Sequence, residues 1–123
     1  FDLNNLKWCN DNLGHAVGDA YIQAAARIIK EIFGRHGKCY RIGGDEFCTV
    51  INQNSKKFDI GRHVKQLREL EKYAEEELGI KGLNVQIACG YAEYDIKTDK
   101  NFEDTRSRAD KRMYESKRRL KRE

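Results

Sequence analysis

The sequence predicts an α/β (α+β) fold in which helices cover a mixed sheet organised around one antiparallel hairpin. Two short apolar runs, residues 38–42 and 47–51, are joined by Gly-Gly-Asp-Glu, an arrangement typical of a β-hairpin. Residues 15–33 and 56–78 repeat apolar side chains at three- and four-residue steps, which indicates two long amphipathic helices. Strands that alternate with helices around a hairpin favour one sheet with helices on its faces.

The amino-terminal third is predicted to contain a strand end and two helical segments. Residues 1–3 resemble the last residues of a strand, and residues 4–12 are expected to form a short helix or turn. The helix over residues 15–33 ends near Gly34 and Gly37. Its apolar stripe consists of Val17, Tyr21, Ala24, Ala25, Ile28 and Ile32.

The second half is predicted to add one helix on each side of a strand. Residues 52–55 read as a loop before the helix over 56–78. Residues 83–93 alternate, which predicts a strand, and residues 95–100 form a turn before a last helix over 102–119. The strand face consists of Val85, Ile87, Cys89 and Tyr91. The last helix has an apolar stripe of Ala109, Met113, Ser116 and Leu120 beside a polar one of Asp110, Tyr114, Lys117 and Lys121.

Length and composition favour a single soluble domain. The chain has 123 residues, of which 39% are hydrophobic and 36% charged, and no apolar run approaches a membrane span. It does not begin with Met, so we expect it to be part of a longer protein. The four cysteines, none in a Cys-x-x-Cys pair, are expected to be reduced and structural, as in a cytoplasmic protein. They are Cys9, Cys39, Cys48 and Cys89.

The net charge of +4 is unevenly distributed, because residues 106–123 contain nine basic and three acidic residues. Such a basic end could bind nucleic acid or a membrane surface. It could equally be a solvated helix end, or supply phosphate ligands for a small molecule. No aromatic interleaving or RNA-binding signature supports nucleic acid, and we expect neither nucleic-acid nor membrane contact.

The hairpin tip carries the residues that best suit a chemical role. Gly43 and Gly44 permit positive φ and leave no Cβ in the way of a ligand. Asp45 and Glu46 place two carboxylates beside them, and hard oxygen ligands suit Mg²⁺ that carries phosphates. The alternative is a surface hairpin with a solvated acidic turn.

Four ordered motifs resemble the GGDEF family, the catalytic domains of diguanylate cyclases. They are Asp2-Leu-Asn-Asn-Leu-Lys7, Asn10-Asp-Asn-Leu-Gly-His-Ala-Val-Gly-Asp19, Arg41-Ile-Gly-Gly-Asp-Glu-Phe47 and Arg108-Ala-Asp-Lys-Arg-Met-Tyr-Glu-Ser-Lys117. The resemblance covers residues 1–121 and implies a nucleotidyl-cyclase-like fold. It also implies one domain over residues 1–123 that lacks the family's first helix and most of its first strand.

The resemblance implies that two GTP molecules are joined into cyclic di-GMP with release of pyrophosphate. This reaction depends on positioning and on charge neutralisation by Mg²⁺ or Mn²⁺. Each domain would hold one nucleotide, so a second copy of the domain is an implied partner. A sensory or regulatory domain is expected upstream in the parent protein, which could be membrane-anchored although the domain itself is expected in the cytoplasm.

The resemblance also assigns roles to the carboxylates. Asp2 and Glu46 would hold the metal, assisted by the carbonyl of Leu3. Asp45 would be a further metal ligand or the base for the ribose 3′-hydroxyl. For Asp2 the alternative is a strand-end residue that caps the next turn.

The nucleotide would be held by residues from all four motifs. Asn10 and Asp19 match the positions that read guanine, and a carboxylate suits its N1–H and exocyclic amine. Helix capping is their alternative role. Gly43 and Gly44 would let the backbone approach the α-phosphate. Backbone N–H groups of Asn5, Leu6 and Lys7 would face the β- and γ-phosphates, and Lys117 and Lys121 would add positive charge unless they are a solvated helix end.

The sequence departs from the family pattern at several positions. Asn4 stands where Asp is common, as in a subgroup reading Asp-x-Asn-x-Leu-Lys. Leu6, Ala88, Leu120 and Lys121 stand where Phe, Ser, Gly and Arg are common. The Arg-x-x-Asp motif for product inhibition would fall at Gly34 and Gly37, so both of its charges are absent.

Three other functions compete with the cyclase. An idle domain of the same fold could bind GTP and regulate a neighbour, but the intact Gly-Gly-Asp-Glu-Phe favours an active one. A cyclic di-GMP receptor is disfavoured by the missing Arg-x-x-Asp. A nucleic-acid binder is disfavoured by the lack of a reader motif.

Overall fold

The structure of the chain is a computed structural model that describes residues 1–52 and 58–122, of which residues 121 and 122 are described by their backbone alone. The elements in chain order are β1 Asp2–Leu3, α1 Leu6–Leu13, α2 His15–Phe33, β2 Gly37–Arg41, β3 Phe47–Ile51, α3 Ile60–Leu78, β4 Ile87–Ala88 and α4 Phe102–Arg122. The predicted α+β class, the hairpin and the helix over residues 15–33 are confirmed.

The strands form two small antiparallel pairs rather than one long ladder. β1 pairs with β4 through Asp2↔Ala88 and Leu3↔Ile87, and β2 pairs with β3 along five residues. A single antiparallel bridge between Asp2 and Glu46 joins the two pairs. All the described strands pair antiparallel, so the parallel ladder expected of a mixed sheet does not form among them. With β1 only two residues long, the sheet stays small.

Helix α2 forms the centre of the hydrophobic core. Its buried residues recur at three- and four-residue steps, so one face of the helix is continuously apolar. It packs against α1 on one side and α3 on the other, and contacts the hairpin. Tyr21 and Phe33 of α2 are fully buried together with Leu3, Leu67 and Ile87. The core therefore fixes the end of β1 relative to the hairpin.

The prediction of a strand over residues 83–93 was wrong except at Ile87–Ala88. Of the predicted inner face, Val85 and Ile87 are buried, Cys89 is half-buried and Tyr91 is exposed. β1 offers only two residues for pairing, and several backbone donors of this segment bind side chains instead. The N–H of Val85 donates to Glu75 Oε2 (3.0 Å) and that of Cys89 to Ser116 Oγ (3.4 Å).

Helix α3 begins later than the sequence predicted. The expected start at residue 56 and most of the loop over residues 52–55 lie outside the described residues. The helix begins at Ile60, because the Asp59 side chain accepts a hydrogen bond from the N–H of Arg62 (3.2 Å) and caps its first turn. Helix α4 begins at Phe102 as predicted and continues to Arg122.

Two general properties concern the described part of the chain. No helix there is both long enough and apolar enough to span a membrane. All four cysteines are unpaired, with Cys9 buried and the others half-buried.

Candidate active site

The hairpin tip is held by its own backbone and by one arginine. The N–H of Ile42 donates to the carbonyl of Glu46 (3.0 Å). The Arg41 guanidinium donates to the carbonyls of Gly43 (3.1 Å) and Gly44 (2.8 Å). Because these carbonyls are bound from the Arg41 side, the conformation of the tip is fixed while its opposite side stays exposed.

The tip glycines do not use the positive φ that glycine permits. Neither Gly43 nor Gly44 lies in the left-handed region, since the turn spans more residues than a two-residue hairpin loop. A Cβ added to Gly44 would meet nothing within 4 Å, and one on Gly43 would meet only the Glu46 side chain at 3.6 Å. The glycines therefore leave open space for a ligand, and no strained backbone requires them.

The backbone brings the end of β1 directly against the hairpin. The N–H of Leu3 donates to the carbonyl of Asp45 (2.9 Å), and the N–H of Phe47 donates to the carbonyl of Phe1 (2.9 Å). The bridge between Asp2 and Glu46 lies between these two bonds. Acidic residues more than 40 positions apart in the chain thus meet at one place, as the metal assignment requires.

Asp2 is the most buried of these acids, with 4% of its surface exposed. Burial raises the pKa of its carboxyl group, the Lys117 ammonium opposes this shift, and the adjacent Asp45 carboxylate reinforces it. Lys117 Nζ donates to Asp2 Oδ2 at 3.0 Å. The pair spans 115 residues and ties α4 to the start of the chain.

The residues present fit a divalent cation that arrives with phosphates. Asp2 Oδ1 is buried with no hydrogen-bond partner among the described residues, as are both polar atoms of the Asn4 amide. Buried polar atoms are seldom left unpaired, so the unpaired oxygen of Asp2, beside the hairpin acids, suits a bound cation. No group of three metal-ligating side chains occurs within the described ranges. Mg²⁺ commonly takes one or two carboxylates and completes its shell with water and substrate phosphates.

The three backbone amides expected to face phosphates lie at the start of α1. Asn5 is the N-cap and has a left-handed backbone (φ 67°), and its side chain makes no capping bond. The first turn of α1 contains no acidic residue. Leu6 and Lys7 are the first two helical residues, and the first N–H groups of a helix have no partner within it. The amino end of α1 therefore remains available to an anion, directly after Asp2 and Leu3.

The two expected guanine ligands lie on neighbouring helices. Asn10 is half-buried on α1, and Asp19 is exposed on α2. Gly14, with φ +92°, makes the sharp turn between the helices and donates its N–H to the carbonyl of Asn10 (3.1 Å). The Asn10 side chain lies against Gly18, the residue before Asp19. The capping role is not realised by Asn10, since it lies inside α1.

The basic end of the chain is partly committed to contacts within the domain. Arg108 forms an ion pair with buried Asp99 and donates to the carbonyl of Glu93 (2.8 Å). Arg112 donates to the carbonyl of Tyr91 (2.6 Å). Lys117 faces Asp2, whereas the side chain of Lys121 lies outside the described residues. The fourth motif thus holds the segment after β4 and also supplies one cation to the site.

Two buried polar residues, which the sequence patterns did not reveal, support the site from the core. The buried hydroxyl of Tyr21 accepts the N–H of Gln86 (2.9 Å) and lies 2.8 Å from the carbonyl of Asn4, so α2 fixes the turn after β1. Burial raises the pKa of Tyr21. Glu71 on α3 accepts the N–H of Ile87 (3.1 Å) and pairs with Arg68. The available signal was a carboxylate four residues after Leu67, within the apolar face of α3.

The site combines carboxylates from a strand end and from a glycine hairpin with a helix amino end and a lysine. This combination suits a complex of a metal ion with a nucleotide. The family model described as "Diguanylate cyclase, GGDEF domain" matches residues 1–123, and the chain belongs to this family.

Three curated relatives show the extent of the similarity. Diguanylate cyclase A of Treponema denticola is 32% identical over 118 residues, covering 94% of this chain and 31% of the relative. Probable diguanylate cyclase DgcJ of Escherichia coli is 27% identical, covering 94% of this chain and 22% of the relative. A diguanylate cyclase of Vibrio cholerae is 25% identical, covering 95% and 35%. The chain therefore spans about a third or less of these relatives' length. No solved structure matches it.

Proposed function

We propose that this domain condenses two GTP molecules into cyclic di-GMP and releases two pyrophosphates. The observation that carries the proposal is the meeting of Asp2 with Asp45 and Glu46, through the 2.9 Å backbone bond from Leu3 and the adjacent strand bridge. The intact Gly-Gly-Asp-Glu-Phe sequence lies at this junction, and relatives matched along nearly the whole chain carry the name diguanylate cyclase. The domain is proposed to act in the cytoplasm, under an upstream regulatory domain.

Each side chain has a proposed role in one half of the reaction. Asp2, Glu46 and the Leu3 carbonyl would hold Mg²⁺ or Mn²⁺, which supplies charge neutralisation at the phosphates. Asp45 would serve as a further ligand, or accept the proton of the 3′-hydroxyl. The oxygen of that hydroxyl bonds to the α-phosphorus of the other nucleotide, and the bond from this phosphorus to the bridging oxygen breaks.

The remaining residues would bind and orient the substrate. Backbone N–H groups of Asn5, Leu6 and Lys7 would hold the β- and γ-phosphates of the leaving pyrophosphate. Lys117 would exchange its bond to Asp2 for a phosphate oxygen when the nucleotide binds, and Lys121 would add charge from the next turn.

GTP is expected to bind at least about tenfold more tightly than ATP, because Asn10 and Asp19 form hydrogen bonds that only guanine satisfies, each worth on the order of 1 kcal/mol. Calorimetric titration with each nucleotide, in Ca²⁺ to prevent turnover, measures the ratio. Asp19→Ala should reduce the ratio, whereas Asp11→Ala, an exposed carboxylate on α1, should not. Equal affinities in the unaltered chain would contradict guanine recognition.

The two-copy requirement predicts the kinetic order. One domain has one set of motifs, so a product built from two nucleotides needs two domains that face each other across a two-fold axis. The initial rate should therefore rise with more than the first power of domain concentration in a monomeric preparation. Fusion behind a dimeric coiled coil should raise the rate at low concentration. A first-order dependence, with sedimentation showing a monomer, would argue against the two-domain assembly.

Product inhibition is expected to be weak. Gly34 and Gly37 supply neither the guanidinium nor the carboxylate of the inhibitory motif. A Cβ on Gly37 would lie 1.9 Å from the carbonyl oxygen of Val50, so the backbone leaves no room for a side chain there. Initial rates measured against added cyclic di-GMP, with GMP as the control, should show little inhibition at concentrations well below that of GTP. Strong inhibition at low concentration would reveal a different inhibitory site.

A further inference from the structure

A side chain from α1 fills the space beside one glycine of α2. A Cβ built on Gly18 would lie 1.8 Å from Oδ1 of Asn10 and 2.9 Å from its Cγ. Gly18 itself is buried within the second helix, whereas Asn10 is half-buried on the first. The carboxamide of Asn10 therefore occupies the place that any other residue at position 18 would need for its own side chain.

The backbone at this contact is fixed on both sides. The N–H of Gly14 donates to the carbonyl of Asn10, and the N–H of Gly18 donates to the carbonyl of Gly14, each at 3.1 Å. Gly14, which joins the two helices, is thus hydrogen-bonded to the last turn of α1 and to the first turn of α2. The Asn10 side chain can rotate about its own Cα–Cβ bond, however. A methyl group at position 18 is thus expected to move the carboxamide and leave the helices in place.

We propose that Gly18 is a positioning residue for guanine recognition. Its lack of a Cβ lets the carboxamide of Asn10 lie against α2, one residue before the exposed Asp19. The two polar groups can then serve one base although they come from different helices. This inference rests on the proposed function, because it takes Asn10 and Asp19 as the groups that bind guanine.

A purely structural glycine and a positioning glycine predict different results. If Gly18 only permits helix packing, Gly18→Ala lowers stability and leaves the ratio of GTP to ATP affinity unchanged. If Gly18 positions Asn10, Gly18→Ala lowers the ratio of GTP to ATP affinity by the same factor as Asn10→Ala does. One hydrogen bond corresponds to a reduction of about three- to tenfold.

The test is a double-mutant cycle of Gly18→Ala and Asn10→Ala, measured by nucleotide titration in Ca²⁺ and by thermal unfolding. The matched control is Gly61→Ala on α3, where a Cβ would meet only Asp59 Oδ1 at an ordinary 3.5 Å. Both single variants should lower the GTP/ATP affinity ratio to the same extent, and the double variant should lower it no further. Asn10→Ala should also remove the steric conflict, so that alanine at position 18 raises the melting temperature in that background.

The outcomes separate this inference from the proposed function. A GTP preference that survives Gly18→Ala overturns the positioning role and leaves guanine recognition standing. A double variant whose ratio falls by the product of the two single effects overturns the role as well, since the residues then act independently. No preference for GTP in the unaltered chain overturns both.

Discussion

Glu46→Ala is expected to reduce turnover of GTP by about a thousandfold or more. Loss of one anionic metal ligand costs several kcal/mol of transition-state stabilisation, and about 4 kcal/mol corresponds to a factor of about a thousand. The rate of cyclic di-GMP formation, followed by mass detection at saturating GTP and Mg²⁺, measures the effect.

The fold should survive this substitution. Glu46 bonds to the tip through its backbone carbonyl, which accepts the N–H groups of Ile42 and Gly43, and alanine keeps both bonds. No side-chain hydrogen bond of Glu46 occurs within the described part of the chain. Glu46→Gln, which keeps the shape and removes the charge, should also lose most activity. Glu69→Ala on the exposed side of α3 serves as the control and should keep it.

Two results would contradict the metal-ligand role of Glu46. One is turnover close to that of the unaltered domain in Glu46→Ala. The other is full activity in Glu46→Gln, which would mean that shape rather than charge is needed. A loss of activity that coincides with lost far-ultraviolet circular dichroism would contradict the expectation that the fold survives.

Glu71→Ala is expected to lower the free energy of unfolding by about 2–4 kcal/mol, because it leaves the Ile87 N–H unpaired and removes the partner of Arg68. Glu71 is 6% exposed, and its second oxygen pairs with an arginine that also donates to the carbonyl of Ile87 (2.8 Å). One carboxylate therefore connects α3 to the strand that pairs with Asp2 and Leu3. Urea denaturation, with the slope checked for constancy, measures the change.

Controls separate the buried carboxylate from general effects on α3. Glu71→Gln keeps an oxygen that can accept the N–H of Ile87, so it should be less damaging than alanine. Glu76→Ala, at an exposed position of the same helix, should change stability by less than about 0.5 kcal/mol. Equal stability of the Glu71→Ala and Glu76→Ala variants would show that this connection contributes little.

Local pattern determined which parts of the fold were predictable. The conformation of the helix over residues 15–33 follows from its own apolar spacing, and that of the hairpin follows from the two apolar runs around Gly43 and Gly44. Both elements were therefore predicted nearly residue by residue. Apolar and polar side chains alternate equally well over residues 83–93, but whether a segment pairs as a strand also depends on the length of its partner strand. Only Ile87 and Ala88 meet β1, and the neighbouring donors bind carboxylates and hydroxyls.

The residues of the candidate site could be chosen from the sequence, but their geometry could not be predicted. The motifs identified Asp2, Asp45 and Glu46, and the structure brings them together through backbone bonds. Alternation and charge could not show that Lys117 would face Asp2 across 115 residues. Nor could spacing reveal that the Asn10 carboxamide fills the space that a side chain at position 18 would need, because this contact depends on how two helices cross.

The most direct test of the central claim is to incubate the domain, fused behind a dimeric coiled coil, with GTP and Mg²⁺ and to identify the product by mass spectrometry. The fusion raises the local concentration of the second copy, so weak association does not limit the result. The proposal predicts cyclic di-GMP and two pyrophosphates per product. The Glu46→Ala fusion should form it at least about a thousandfold more slowly, and ATP, which lacks the guanine base, cannot yield this product. A folded, dimeric fusion that binds GTP and forms no cyclic di-GMP would contradict the proposal and identify an idle GTP-binding domain instead.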